Sequence, residues 1–107
     1  MLEGNPFTGE VTIVLNGERQ ILKLTLGSLA ELEAAIAEDS LVSLIERFEA
    51  GRFTTKDVIR LLLAGLRGGG WQGTGRKLLD ADIEGGMPQA IRVAALLLTR
   101  SFAMPVT

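Results

Sequence analysis

Val11-Thr12-Ile13-Val14-Leu15-Asn16-Gly17-Glu18-Arg19-Gln20-Ile21-Leu22-Lys23-Leu24-Thr25-Leu26 decides the start of the fold. Two aliphatic runs flank Asn16-Gly17, the pair that best tolerates positive φ in a tight turn, and together they predict a β-hairpin over about residues 10–26. A two-residue turn pairs Val11 with Leu22 and Ile13 with Gln20. A four-residue loop through Arg19 pairs Val11 with Leu24 and Ile13 with Leu22, a better apolar match. Both registers leave the same side chains on the same face, so Val11, Ile13, Leu15, Leu22, Leu24 and Leu26 are expected to point inward. A lone hairpin is marginal in water, and helices must cover it.

Those helices follow in order. Ser28 with Glu31 reads as a capping box opening a helix over about 28–38, with Leu29, Leu32 and Ile36 on one face. Ser40 caps a second over 40–50, whose Leu41, Leu44, Ile45 and Phe48 share a stripe. Gly51 then reads as its left-handed C-terminal glycine. Thr54 with Asp57 starts a third, over 55–67, through Val58, Ile59, Leu62 and Leu66. Gly68-Gly69-Gly70 makes continued helix costly there. A weaker helix is expected over 74–84, stopped by Gly85-Gly86. Pro88 suits the first turn of a last helix over 88–103. The expected architecture is one α+β domain spanning 1–107, an N-terminal β-hairpin packed against four to five α-helices. Leu32, Ile36, Leu44, Phe48, Ile59 and Leu62 are expected in its core.

Composition removes several chemistries. The 107 residues include no cysteine and no histidine, so thiolate or imidazole metal sites, cysteine nucleophiles and a Ser–His pair are excluded. Eleven bases against 13 acids leave a net charge of −2, which speaks against nucleic acid as a partner. The N-terminus has an acid where a signal peptide carries bases, and Val93–Leu98 falls well short of the ~20 apolar residues of a membrane span. A cytoplasmic protein without a membrane partner is the expectation. Charge is also uneven: residues 1–50 hold three bases and nine acids, residues 51–107 eight bases and four acids. The two halves can attract within one molecule, or between copies head to tail.

Three motifs imitate binding sites. Gly68-Gly69-Gly70-Trp71-Gln72-Gly73 matches G-x-G-x-x-G, but a helix precedes it where a dinucleotide site needs a strand. Asp80-Ala81-Asp82-Ile83-Glu84-Gly85 opens like a calcium loop, yet position twelve is Ile91 and not a bidentate glutamate. Trp71 among Arg67, Arg76 and Lys77 is one aromatic, not a stacking platform, and reads better as loop packing or an interface anchor. No catalytic, cofactor or metal residues emerge. Leu63 among Lys56, Arg60 and Arg67, and Leu96 on a polar stripe with Gln89, Arg92, Thr99 and Arg100, stand out as apolar side chains ringed by bases. On that helix Ile91, Ala94, Ala95 and Leu98 are expected to turn toward the core. Leu63, Leu96, Arg60, Arg67, Arg92 and Trp71 are therefore the candidate partner-binding residues.

Gly9–Ile36 ("GEVTIVLNGERQILKLTLGSLAELEAAI"), Ser40–Gly70 ("SLVSLIERFEAGRFTTKDVIRLLLAGLRGGG") and the closing "AALLLTRSFA" resemble small proteins encoded among the tail genes of phage-like gene transfer agents. The resemblance implies no catalytic residue. It implies a tail assembly chaperone, which keeps the tape-measure protein soluble while tail-tube subunits polymerise, or else a structural tube or connector subunit. Tape-measure or tail-tube proteins would be its partners, with self-association open. A small regulatory or nucleic-acid-binding domain is the third reading, carried by the basic second half.

Overall fold

The computed structural model describes residues 9–36 and 40–102. An antiparallel hairpin, β1 (Val11–Leu15) and β2 (Glu18–Leu22), is followed by α1 (Leu26–Ile36), α2 (Leu41–Glu49), α3 (Thr55–Gly68), α4 (Gly75–Leu79) and α5 (Gly86–Phe102). The fold is α+β. Asn16 and Gly17 both take positive φ, 51° and 83°, which is the backbone of a two-residue type I′ turn. Turn chemistry therefore selects the shorter register, Val11 opposite Leu22 and Ile13 opposite Gln20, over the one with the better apolar match.

Val11, Ile13, Leu15 and Leu22 are buried as the alternation requires, and Leu24 is half-buried against the core. Leu26 is not: it is 86% exposed. The chain has left the strand by then, and the period-two argument no longer applies. Thr25 caps α1 in place of Ser28. The Thr25 backbone N–H donates to Ser28 Oγ (2.7 Å), and the Ser28 N–H donates to Thr25 Oγ1 (3.0 Å). Ser28 thus takes the third helical position and is buried there, and α1 begins at Leu26. Residues 37 and 38, expected to complete this helix, lie outside the described residues, as does 103 at the end of α5.

The next two starts follow the residue chemistry. Ser40 Oγ accepts from the Ser43 N–H (3.1 Å), and Thr54 with Asp57 forms a complete capping box. Gly51 (φ 72°) and Gly70 (φ 102°) end α2 and α3 in the same way. Each is the left-handed residue of a Schellman motif, in which Arg52 N–H reaches Arg47 O and Trp71 N–H reaches Leu66 O.

The glycines around residue 68 have a second role that the sequence reading missed. Gly68 is the last residue of α3 and Gly69 its C-cap. A Cβ on Gly68 would overlap the Lys23 carbonyl oxygen, and one on Gly69 the Ile21 carbonyl oxygen. At Gly65 it would stand 2.5 Å from Leu97 Cδ2 and 3.1 Å from Leu22 Cβ. These glycines let α3 lie directly on β2, where Lys23 N–H donates to Gly65 O (2.9 Å).

The helix expected over 74–84 is only one turn and a half. Thr74 caps it, but it stops at Leu79, and the chain then runs along the outer edge of β1. Asn16 N–H donates to Asp82 O (2.8 Å), Glu84 N–H donates to Val14 O (3.1 Å), and Ile83 bridges Leu15. Pairing with a strand edge has taken these residues from the helix. α5 starts at Gly86, two residues before Pro88, because Gly85 and Gly86 turn the chain into it with positive φ.

The core lies where α3 and α5 cover the hairpin, with Ile13, Leu22, Leu61, Leu62, Leu66, Val93 and Leu97 almost fully buried. Leu32, Ile36, Leu44 and Leu62 are buried as expected, whereas Phe48 and Ile59 are half-buried and pack on the core from outside. On α5 the buried stripe is Ala90, Val93, Ala94, Leu97 and Leu98, and Ile91 and Ala95 sit beside it, half-buried. No helix among the described residues is long and apolar enough to cross a membrane.

Candidate functional site

An apolar groove of about 310 Å³ opens between α2 and the C-terminal half of α5. Ile45 and Phe48 form one wall, Ala95, Leu98 and Phe102 the other, and Glu49 and Thr99 supply the polar rim. The spacing explains the walls. Ile45, Phe48 and Glu49 lie three and four residues apart on α2; Ala95, Leu98, Thr99 and Phe102 do the same on α5. Val42, 65% exposed, and Glu46 extend the outer face of α2 beyond the groove.

The position of α2 is set by an ion pair. Arg47 Nε donates to Asp57 Oδ2 (3.0 Å) and Arg47 Nη2 donates to Asp57 Oδ1 (2.9 Å), a bidentate bridge from the end of α2 to the start of α3. Asp57 is buried, and the Thr54 N–H also donates to its Oδ2 (2.9 Å). Burial pushes the carboxyl pKa up, but the Arg47 hydrogen bonds and charge and the Thr54 hydrogen bonds outweigh it. The result lies below the ordinary carboxylate value. Phe48 stacks on Phe53 with ring centroids 4.6 Å apart, bracing the groove wall from behind.

A second, smaller cleft of about 80 Å³ separates α1 from α3. Three of the candidate residues, Arg60, Leu63 and Arg67, meet there beside Leu32 and Glu31. Leu63 is half-buried and packs against the core. Arg67 lies 3.5 Å from Glu31, so part of the acidic first half answers the basic second half within the molecule. Both side chains are exposed, and such a bridge contributes little. Leu96 packs against the core from α5, Arg92 is exposed on the same helix, and neither lines either cleft. Trp71 is half-buried against the core directly after the α3 Schellman turn, and Gly73 passes so close to its ring that a Cβ there would overlap it.

The α2/α5 groove was not singled out in the sequence. The signal was present, since Ile45 and Phe48 on one helix and Ala95, Leu98 and Phe102 on another each form a stripe. What sequence cannot supply is that these stripes face each other and remain open. Among the described residues no group of three acids could hold a metal ion.

These features define a small α+β protein with an open apolar groove between two helices and an acid on the groove's rim. The chain belongs to the family described as phage tail tube protein, GTA-gp10, whose model matches residues 8–104. No curated protein and no solved structure matches it.

Proposed function

We propose that this protein is a structural subunit of a phage-like tail, in the tube or its connector, which works by protein–protein contact and catalyses no reaction. The family supports a structural place in the tail. The observation that carries the contact reading is the α2/α5 groove, an apolar surface held open by the part-buried Arg47–Asp57 bridge and by Phe48 stacked on Phe53. A groove of this size is at the lower limit for a small-molecule site and suits one or two apolar side chains of a partner protein. Other tail proteins are the natural occupants, tape-measure or tube subunits among them.

An assembly chaperone would engage such partners and then leave. Mass spectrometry of gradient-purified particles separates the two roles. A structural subunit is retained in the particles, and a chaperone is found only in the producing-cell lysate.

A further inference from the structure

We infer that the groove is occupied by the outer face of the β-hairpin of a second copy of this chain, in a head-to-tail contact. The inference rests on the subunit reading and names the partner of its groove.

The hairpin has two faces. Val11, Ile13, Leu15 and Leu22 turn inward to the core. The other face carries Val14 opposite Arg19 and Thr12 opposite Ile21, with Lys23 just beyond the end of β2. Ile21 is 43% exposed, a large apolar side chain at the centre of this face with a base two residues away on either side. Strand geometry puts Arg19 about 7 Å from Ile21 along β2, and Lys23 follows one residue past the strand's end. This face is a basic island within the acidic half of the chain.

The groove offers the complement. Ile45, Phe48 and Phe102 provide apolar surface, Glu49 puts a carboxylate on the rim, and Glu46, three residues earlier, adds a second on the adjoining outer face of α2. Among the described residues none of the four charged side chains, Arg19, Lys23, Glu46 or Glu49, has an ion-pair partner.

Pairing through the sheet edge is obstructed. Asp82–Glu84 lie along β1, and Gly65–Gly69 lie against β2. A contact through the hairpin therefore uses its face. Because the two surfaces differ, the contact is heterologous, and a pair of copies retains one free hairpin face and one free groove. Such a contact propagates into a ring or a filament instead of stopping at a dimer.

The chain has no cysteine, so introduced cysteines report the contact cleanly. Ile21→Cys and Thr99→Cys are made separately in the full chain; both sites are exposed, and circular dichroism verifies that each variant folds. The two are mixed at high concentration and treated with a short bismaleimide. The mixture should give a cross-linked dimer, and a chain carrying both cysteines should give a ladder. Adding Glu46→Lys and Glu49→Lys to the Thr99→Cys chain should cut the dimer yield at least tenfold. Arg19→Glu with Lys23→Glu on the Ile21→Cys chain should restore it. No dimer in the mixture, or Ile21→Cys coupling to itself as well as to Thr99→Cys, overturns the inference. So does a yield indifferent to charge reversal. Particles that contain the protein while the mixture fails to cross-link would sink this contact and leave the subunit reading standing; cross-linking by a protein absent from particles would do the reverse.

Discussion

Asp57→Ala is the change that most directly attacks the frame of the groove. It removes both hydrogen bonds to Arg47 and the one from the Thr54 N–H, at 2.9–3.0 Å. Losing a capping interaction costs about 1 kcal/mol. Breaking a fully buried ion pair from one side costs about 3–5 kcal/mol, because the remaining charge loses the carboxylate that offset its desolvation. Here the survivor is Arg47, whose side chain is 26% exposed, so water recovers part of that loss. The net expectation is about 2–4 kcal/mol, or a fall in melting temperature of roughly 10–20 °C for a domain this size. Thermal unfolding followed by circular dichroism measures it. Asp57→Asn, which keeps an oxygen for the Thr54 N–H, should fall between the variant and the parent. The same bridge predicts an acid limb. The folded pKa of Asp57 is depressed, so its stabilisation is complete above the unfolded carboxylate pKa of about 4 and is lost as pH falls through the lower folded value. Asp57→Asn should flatten that limb. A melting temperature within a degree or two of the parent would refute the reasoning, because the bridge would then not be holding α2 in place.

Gly68→Ala should destabilise by about 1–3 kcal/mol, despite alanine's better helix propensity, because its Cβ overlaps the Lys23 carbonyl and α3 must lift off β2; a stabilised variant in urea melts would refute the close-approach role. Phe48→Ala should cost about 2 kcal/mol, below the 3–5 of a fully buried phenylalanine, since Phe48 is half-buried and mainly loses its stack on Phe53. Leu26→Ser should stay within about 0.5 kcal/mol of the parent, because the side chain is 86% exposed. Leu63→Ser with Leu96→Ser should lower the urea midpoint, given that both leucines pack against the core; an unchanged midpoint would return them to the list of contact residues.

Local chemistry was the most legible part of the sequence. Asn16-Gly17, Ser40, Gly51 and the Thr54–Asp57 box each act through neighbours within a few residues, and each sits where the residue types put it. One local reading went astray because the competitors were close in strength, and one that stood open between two registers was decided by the turn. Thr25 and Ser28 can each cap a helix, and the reciprocal Thr25–Ser28 bonds left Glu31 to pair with Arg67 instead. A type I′ turn outweighed the better apolar pairing of the longer loop.

The larger misses were tertiary. Gly68 and Gly69 read as a helix breaker and a loop, and Gly65 as an ordinary position within the helix, since nothing local shows that β2 lies against them. Asp80–Glu84 carries helix-compatible residues, but its backbone pairs instead with the edge of β1, through Asn16 N–H to Asp82 O and Glu84 N–H to Val14 O. For the candidate site, the basic ring around Leu63 could be read from helical spacing, and Arg60 and Arg67 do share its cleft. The α2/α5 groove could not. It exists because Arg47 and Asp57, ten residues apart, set the angle between α2 and the rest of the bundle.

The central claim is that this protein is built into a tail. Quantitative mass spectrometry of gradient-purified particles, with isotope-labelled peptides of this chain and of the major tube subunit as standards, tests it most directly. The account predicts several copies per particle, at a ratio to the tube subunit that stays constant through further purification. A protein abundant in the lysate whose ratio falls toward zero as the particles are purified would contradict it.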